Sequence, residues 1–146
     1  MIVTLDKIDD VVFDLHPGDR IFLRGNLGAG KTTFARKLIQ KYLGNSEAQI
    51  TSPTYTYYQK YGENLYHFDL YRFSDPEEWF DAGFDEYFSV PQVSFIEWAE
   101  KAQGLIPQID WQITISFKHN LRELIIDSLT LTGDTCLTKL INRGVI

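Results

Sequence analysis

The sequence predicts an α/β fold, a three-layer sandwich whose central sheet is mostly parallel with antiparallel hairpin strands added. Three observations carry this reading. Arg20-Ile21-Phe22-Leu23-Arg24 has the pattern of a short strand launched by the Pro17-Gly18 turn; it passes through a glycine-rich loop into Phe34, Ala35, Leu38, Ile39 and Tyr42 at helical spacing, with Gly44 placed to stop the helix. Val93-Ser94-Phe95-Ile96 is a brief apolar run bounded by Pro91, the shape of a parallel strand buried on both faces. Two further pairs of segments, turning at Gly62-Glu63-Asn64 and at Lys118-His119-Asn120, read as hairpins.

Taken in order, Met1 to Leu5 reads as an opening strand, and Asp6 to Leu15 is ambiguous, with Val11, Val12 and Leu15 able to form one side of a helical turn. After the loop Asn45 to Gln49, the tyrosines Tyr55, Tyr57, Tyr58 and Tyr61 suggest a strand, and Leu65 to Tyr71 its return. Tyr55, Tyr57 and Tyr58, expected to be exposed, suit either a partner surface or a packed hairpin face. Ser74-Asp75-Pro76-Glu77 is a capping box with proline in the first turn, opening a helix through Ala82 that Gly83 breaks before Phe84 to Phe88. Trp98 to Gln103 reads as a short helical segment stopped by Gly104 and Pro107. Trp111, Ile113, Ile115 and Phe117 alternate with polar residues as one strand, Leu121 to Ser128 returns, and a closing helix is expected around Cys136 to Asn142.

Composition bounds the function. The 146 residues suit one domain, 1–146, with 44% hydrophobic and 23% charged residues, ordinary values for a soluble globular protein. No apolar run approaches the roughly 20 residues of a membrane span, and no secretory leader opens the chain. Cys136 is the only cysteine, so no internal disulfide can form, and the expected compartment is the reducing cytoplasm. A net charge of −6 argues against gripping DNA or tRNA unaided, since phosphate contacts call for a basic surface.

The chemistry centres on Gly25-Asn26-Leu27-Gly28-Ala29-Gly30-Lys31-Thr32, which fits G-x-x-x-x-G-K-[ST]. Glycines let backbone N–H groups wrap a phosphate, and the following helix offers its positive N-terminus to the same anion. Lys31 is placed to reach the β and γ oxygens and Thr32 to ligate magnesium. Together with its strand and helix, the loop makes the expected domain P-loop NTPase-like, with a nucleotide triphosphate as ligand. Magnesium needs a further carboxylate at the C-terminal end of a neighbouring strand, where ligands gather in open α/β sheets. Asp69 and Glu97 each end an apolar strand; a helix cap or a solvated charge is the plainer alternative for both. His67 shares a strand face with Asp69 and is placed either to hold it, to sense the γ-phosphate, or to serve structure alone.

Four ordered motifs, Gly25 to Thr33, Ser52-Pro53-Thr54, His67-Phe68-Asp69-Leu70-Tyr71-Arg72 and Ile96-Glu97-Trp98, closely resemble the TsaE (YjeE) family of bacterial P-loop ATPases. The resemblance runs from about Pro17 to Pro107. It implies an ATP-hydrolysing subunit of tRNA threonylcarbamoyladenosine (t6A) synthesis that binds the TsaB–TsaD pair, touches tRNA only indirectly, and is a weak ATPase alone. Carried over, Asn26 to Thr33 form the nucleotide site, with Lys31 and Thr32 on phosphate and magnesium and Thr33 on the α-phosphate. Ser52, Pro53 and Thr54 become one switch-like loop, His67 and Asp69 lie near the γ-phosphate and metal, and Glu97-Trp98 forms the second switch-like element. Asn26 replaces a frequent aspartate and Ala99 a frequent proline; neither change removes a chemical group. The segment before Pro17 looks shorter than the family's N-terminal helix.

These residues suggest a mechanism in which Gly28, Ala29, Gly30 and Lys31 hold the β and γ phosphates, Thr32 and Glu97 organise magnesium, and Asp69 ligates the ion through water or orients the attacking water. Few arginines lie near the motifs, Arg72 being the best placed, so an activating group from a partner is expected. Trp98 is either a core or rim residue or a reporter of nucleotide state. Two other readings fit the phosphate loop. One is a non-catalytic module whose docking surface ATP shapes; the other is a small-molecule kinase, which the lack of an arginine-rich lid disfavours.

Overall fold

The computed structural model describes residues 2–4, 15–26, 30–51, 53, 56–102, 104–118 and 121–130. Among them, seven strands form one sheet in the order β1-β7-β6-β2-β5-β4-β3. The strands are β1 (Ile2–Thr4), β2 (Arg20–Arg24), β3 (Tyr58–Tyr61), β4 (Leu65–Asp69), β5 (Val93–Glu97), β6 (Trp111–Lys118) and β7 (Leu121–Ser128). The inner four, β6-β2-β5-β4, run parallel; β7 and β1 extend one side and β3 the other, all by antiparallel pairing. This is the α/β arrangement the sequence predicts, with both hairpins in place.

Alternation within the strands sorts the core onto two faces. On one face Ile21, Leu23, Leu65, Val93, Phe95, Ile113, Ile115, Leu124 and Ile126 meet Phe34, Ala35, Leu38 and Ile39 of α1 (Lys31–Leu43). On the other, Phe68 and Ile96 meet the crossover from β4 to β5, made of α2 (Pro76–Asp81) and α3 (Phe84–Tyr87), through Trp79, Phe84 and Phe88. Rings there are dense: Phe68 stacks on Phe88 at 4.8 Å and meets Phe84 edge-on at 5.8 Å. The crossover from β5 to β6 is thinner, a 3₁₀ helix (Ala99–Ala102) followed by coil. It leaves a cavity of about 400 Å³ lined by Phe22, Arg24, Ala99, Ala102, Ile106 and Ile109 among others.

Local chemistry sets the ends of the elements. Helix α1 starts at Gly30, whose φ of 100° only glycine adopts freely, and stops at Gly44, where the Asn45 N–H reaches back to the Gln40 carbonyl at 3.0 Å. At α2 the capping residue is Asp75, one position later than the box implies. Its carboxylate accepts the Glu77 N–H at 2.9 Å, while the Ser74 hydroxyl donates to the Glu78 carboxylate at 2.9 Å. The tyrosine strand is shorter than its composition suggests: Tyr57 has φ 66°, turning the chain before β3 begins. Tyr57 and Tyr58 pack on Phe84, Phe68, Tyr66 and Tyr87, so these two belong to the packed face. The returning strand ends at Asp69 instead of Tyr71, because Asp69 takes the Tyr71 N–H at 2.9 Å into a turn. Tyr42, expected on the buried stripe, lies 36% exposed. The expectations for residues 5–14, Tyr55 and the tail beyond Thr130 lie outside the described residues.

Phe68 has no exposed surface and sits at the centre of the ring cluster. Phe68→Ala is expected to cost about 3–5 kcal/mol of stability, read as a lower urea midpoint at unchanged m-value.

Candidate functional site

The site forms where three parallel strands end at one level. Register pairs Leu23 of β2 with Glu97 of β5, and Glu97 with Asp69 of β4. Both acids therefore arrive beside the loop that leaves β2 for α1. They are buried, Asp69 at 3% and Glu97 at 2% exposure, on the sheet face that α1 covers. A carboxylate this deep needs partners. Glu97 finds two on one oxygen: Oε1 lies 2.8 Å from His67 Nε2 and accepts from the Thr32 hydroxyl at 3.3 Å. His67, two residues before Asp69 and fully buried, thus holds the acid of the neighbouring strand.

Lys31 opens α1 and is 6% exposed. Its ammonium donates to the Gly25 carbonyl at 2.5 Å and lies 3.7 Å from the centre of the Trp98 ring. Burial pushes its pKa below the ordinary value of 10.5, and the negative charges of Glu97, Glu100 and Asp69 oppose that shift. Trp98 has φ 60°, an uncommon conformation for a bulky residue, and its ring rests on Tyr71 at 5.0 Å. The left-handed turn at Trp98 brings its ring over the lysine.

The other expected residues fall as follows. Asn26 is exposed; Gly30 caps α1; Thr33 is exposed in its first turn. Leu27, Gly28 and Ala29 lie outside the described residues, as do Ser52 and Thr54, while Pro53 is buried and its carbonyl accepts the Thr56 N–H at 3.1 Å. Arg72 is exposed beyond β4. The structure so brings Lys31 against Trp98, and Thr32 and His67 against Glu97, with Asp69 level with Glu97 on the neighbouring strand. Sequence reasoning gave no role of their own to Tyr71, which lies within a motif, or to Glu100, two residues beyond Trp98.

A family model described as "Threonylcarbamoyl adenosine biosynthesis protein TsaE" matches residues 4–124. The chain belongs to the TsaE family. It is 36% identical over 141 residues to the tRNA threonylcarbamoyladenosine biosynthesis protein TsaE of Haemophilus influenzae, covering 93% of this chain and 88% of that one. The Bacillus subtilis protein of the same name is 42% identical over 102 residues, 68% of this chain and 62% of its relative. Among solved structures, that of YdiB from Bacillus subtilis superposes with a TM-score of 0.71 at 28% identity, over 99% of this chain and 98% of the other. The four motifs that suggest the TsaE family from sequence fall within the matched range, and three of them meet at the end of the parallel strands.

Because Lys31 holds its proton less tightly when folded than when unfolded, its burial weakens the fold most while it is charged, and stability recovers as pH rises toward 10.5. Comparing urea unfolding of wild type and Lys31→Met between pH 7 and 10 without nucleotide, wild type is expected to gain stability relative to the variant as pH rises.

Proposed function

We propose that this chain is a magnesium-dependent ATPase that supports t6A modification of tRNA by acting on the TsaB–TsaD complex in the cytoplasm. Family membership and the names of its relatives support the t6A role. The observation that carries the nucleotide chemistry is the meeting of the Thr32 hydroxyl and the Glu97 carboxylate at 3.3 Å, beside the Lys31 ammonium and at the start of a helix. These groups fit a magnesium nucleotide. Hydroxyl and carboxylate oxygens are the hard donors magnesium takes, usually one or two carboxylates together with phosphates and waters. Among the described residues, no group of three or more His, Cys, Asp or Glu side chains converges as a metal site of its own. No helix among them is long and apolar enough to cross a membrane.

Each residue has a task in this reading. The ammonium of Lys31 leaves the Gly25 carbonyl and the Trp98 ring for the β and γ phosphate oxygens, exchanging neutral partners for anionic ones. Gly30, with Gly28 and Ala29, supplies backbone N–H groups, and α1 turns its N-terminus to the phosphates. Thr32 and Glu97 would hold magnesium, which when bound would neutralise charge developing on the phosphate oxygens. Asp69, level with Glu97, ligates through water or orients the attacking water. A triphosphate beside two buried carboxylates needs compensating positive charge, which Lys31 supplies only in part. The partners are then expected to accelerate turnover; a transition-state arginine given in trans is worth roughly 10³–10⁵ in rate.

The contact of Lys31 with Trp98 also favours a second reading, in which ATP sets the shape of a docking surface without being hydrolysed. Two variants separate them. Lys31→Ala is expected to abolish measurable ATP binding. Glu97→Gln is expected to retain ATP and partner binding while lowering kcat roughly 10²–10³-fold and failing to support t6A formation. Full t6A formation with Glu97→Gln would select the non-catalytic reading, and a wild-type chain indifferent to ATP plus magnesium would overturn both. Turnover by wild type is expected to rise when TsaB and TsaD are added.

A further inference from the structure

We infer that His67 is a positioning residue for the metal-facing carboxylate: its Nε2–H fixes Glu97 through Oε1, the oxygen that also meets Thr32, and leaves Oε2 to neither of them. This rests on the ATP–magnesium reading above and adds to it a residue whose side chain, among the described residues, makes its hydrogen bond to the proposed metal ligand. The His67 ring has no exposed surface, and its Nε2 lies 2.8 Å from Glu97 Oε1. Its Nδ1 is buried without a hydrogen-bond partner among the described residues. Oε1 already accepts from the Thr32 hydroxyl, so a ring nitrogen approaching it must bring a proton. An unfilled nitrogen lone pair is cheaper to bury than an unpaired N–H, which selects the Nε2–H tautomer and explains the orphaned Nδ1. Both contacts of Glu97 thus fall on Oε1, and Oε2 carries neither. The histidine itself is fixed by the ladder: it pairs with Phe95 on one side and Gln59 on the other. Its position follows from two strands, and the carboxylate follows the histidine. Partners of this kind hold metal ligands in orientation, and losing them typically costs 10- to 100-fold in metal affinity or activity.

The test uses the full chain loaded with ADP, reading Mn²⁺ binding by electron paramagnetic resonance and ADP affinity in EDTA by calorimetry. His67→Leu removes the donor; His67→Gln carries an amide N–H at nearly the reach of Nε2, and His67→Asn carries one too short to reach. Leu and Asn are expected to weaken Mn²⁺ binding roughly 10- to 100-fold while metal-free ADP affinity stays within about twofold, and Gln to recover most of the loss. If Leu fails to fold, the contrast of Gln with Asn decides. Wild-type Mn²⁺ affinity in Leu or Asn, or equal damage in Gln and Asn, overturns the role of His67 and leaves the ATPase reading standing. Wild-type protein that binds ADP but no Mn²⁺ overturns the metal site, and this inference with it.

Discussion

The parallel ladder in which β5 lies between β2 and β4 is the constraint on which the site depends. All five residues of β5 are buried, with Val93, Phe95 and Glu97 toward α1 and Ile96 toward the opposite crossover. Strand side chains alternate, so a slip of one residue would carry Glu97 to the wrong face and put Ile96 against Thr32. Packing on both faces forbids that slip. The positions of two acids at one height are consequences of apolar burial lower in the same strands. The groups gathered at the ends of these strands are located by hydrophobic contacts lower in the sheet.

The same burial creates an electrostatic problem. Asp69, Glu97 and Lys31 are each nearly withdrawn from water within one corner of the fold. Glu97 is compensated by a histidine and a hydroxyl, and Lys31 by a carbonyl and the face of a tryptophan. The corner is satisfied enough to fold and leaves both acids and the lysine able to gain from a charged ligand.

Much of this was legible in the chain. The strand, glycine loop and helix read directly from residues 20–44 because turn chemistry and apolar period agree there. Asp69 and Glu97 were legible because each closes an apolar run. The partner of His67 was not, since a strand shows which residues share its face but not which neighbour lies across the ladder; the histidine proved to serve Glu97. The cap of α2 moved by one residue because Ser74 and Asp75 are both competent and the proline fixes which is used. The left-handed turns at Tyr57 and Trp98 left no trace in composition, as neither is glycine or asparagine. The contact of Lys31 with the indole depends on the second of these turns, so no spacing rule could reach it.

The hollow beside Phe22 and Ile109 has a mechanical meaning. The β4-to-β5 crossover is filled with stacked rings, whereas the return from β5 to β6 has, among the described residues, one 3₁₀ turn whose Ala99 and Ala102 are buried beside the hollow. Glu97 closes a strand buried along its whole length, and the residue after it begins the return that carries fewer rings. What anchors that return among the described residues is chiefly small and aliphatic, Ala99, Ala102, Leu105, Ile106 and Ile109, so the two sides of β5 are braced by different kinds of contact.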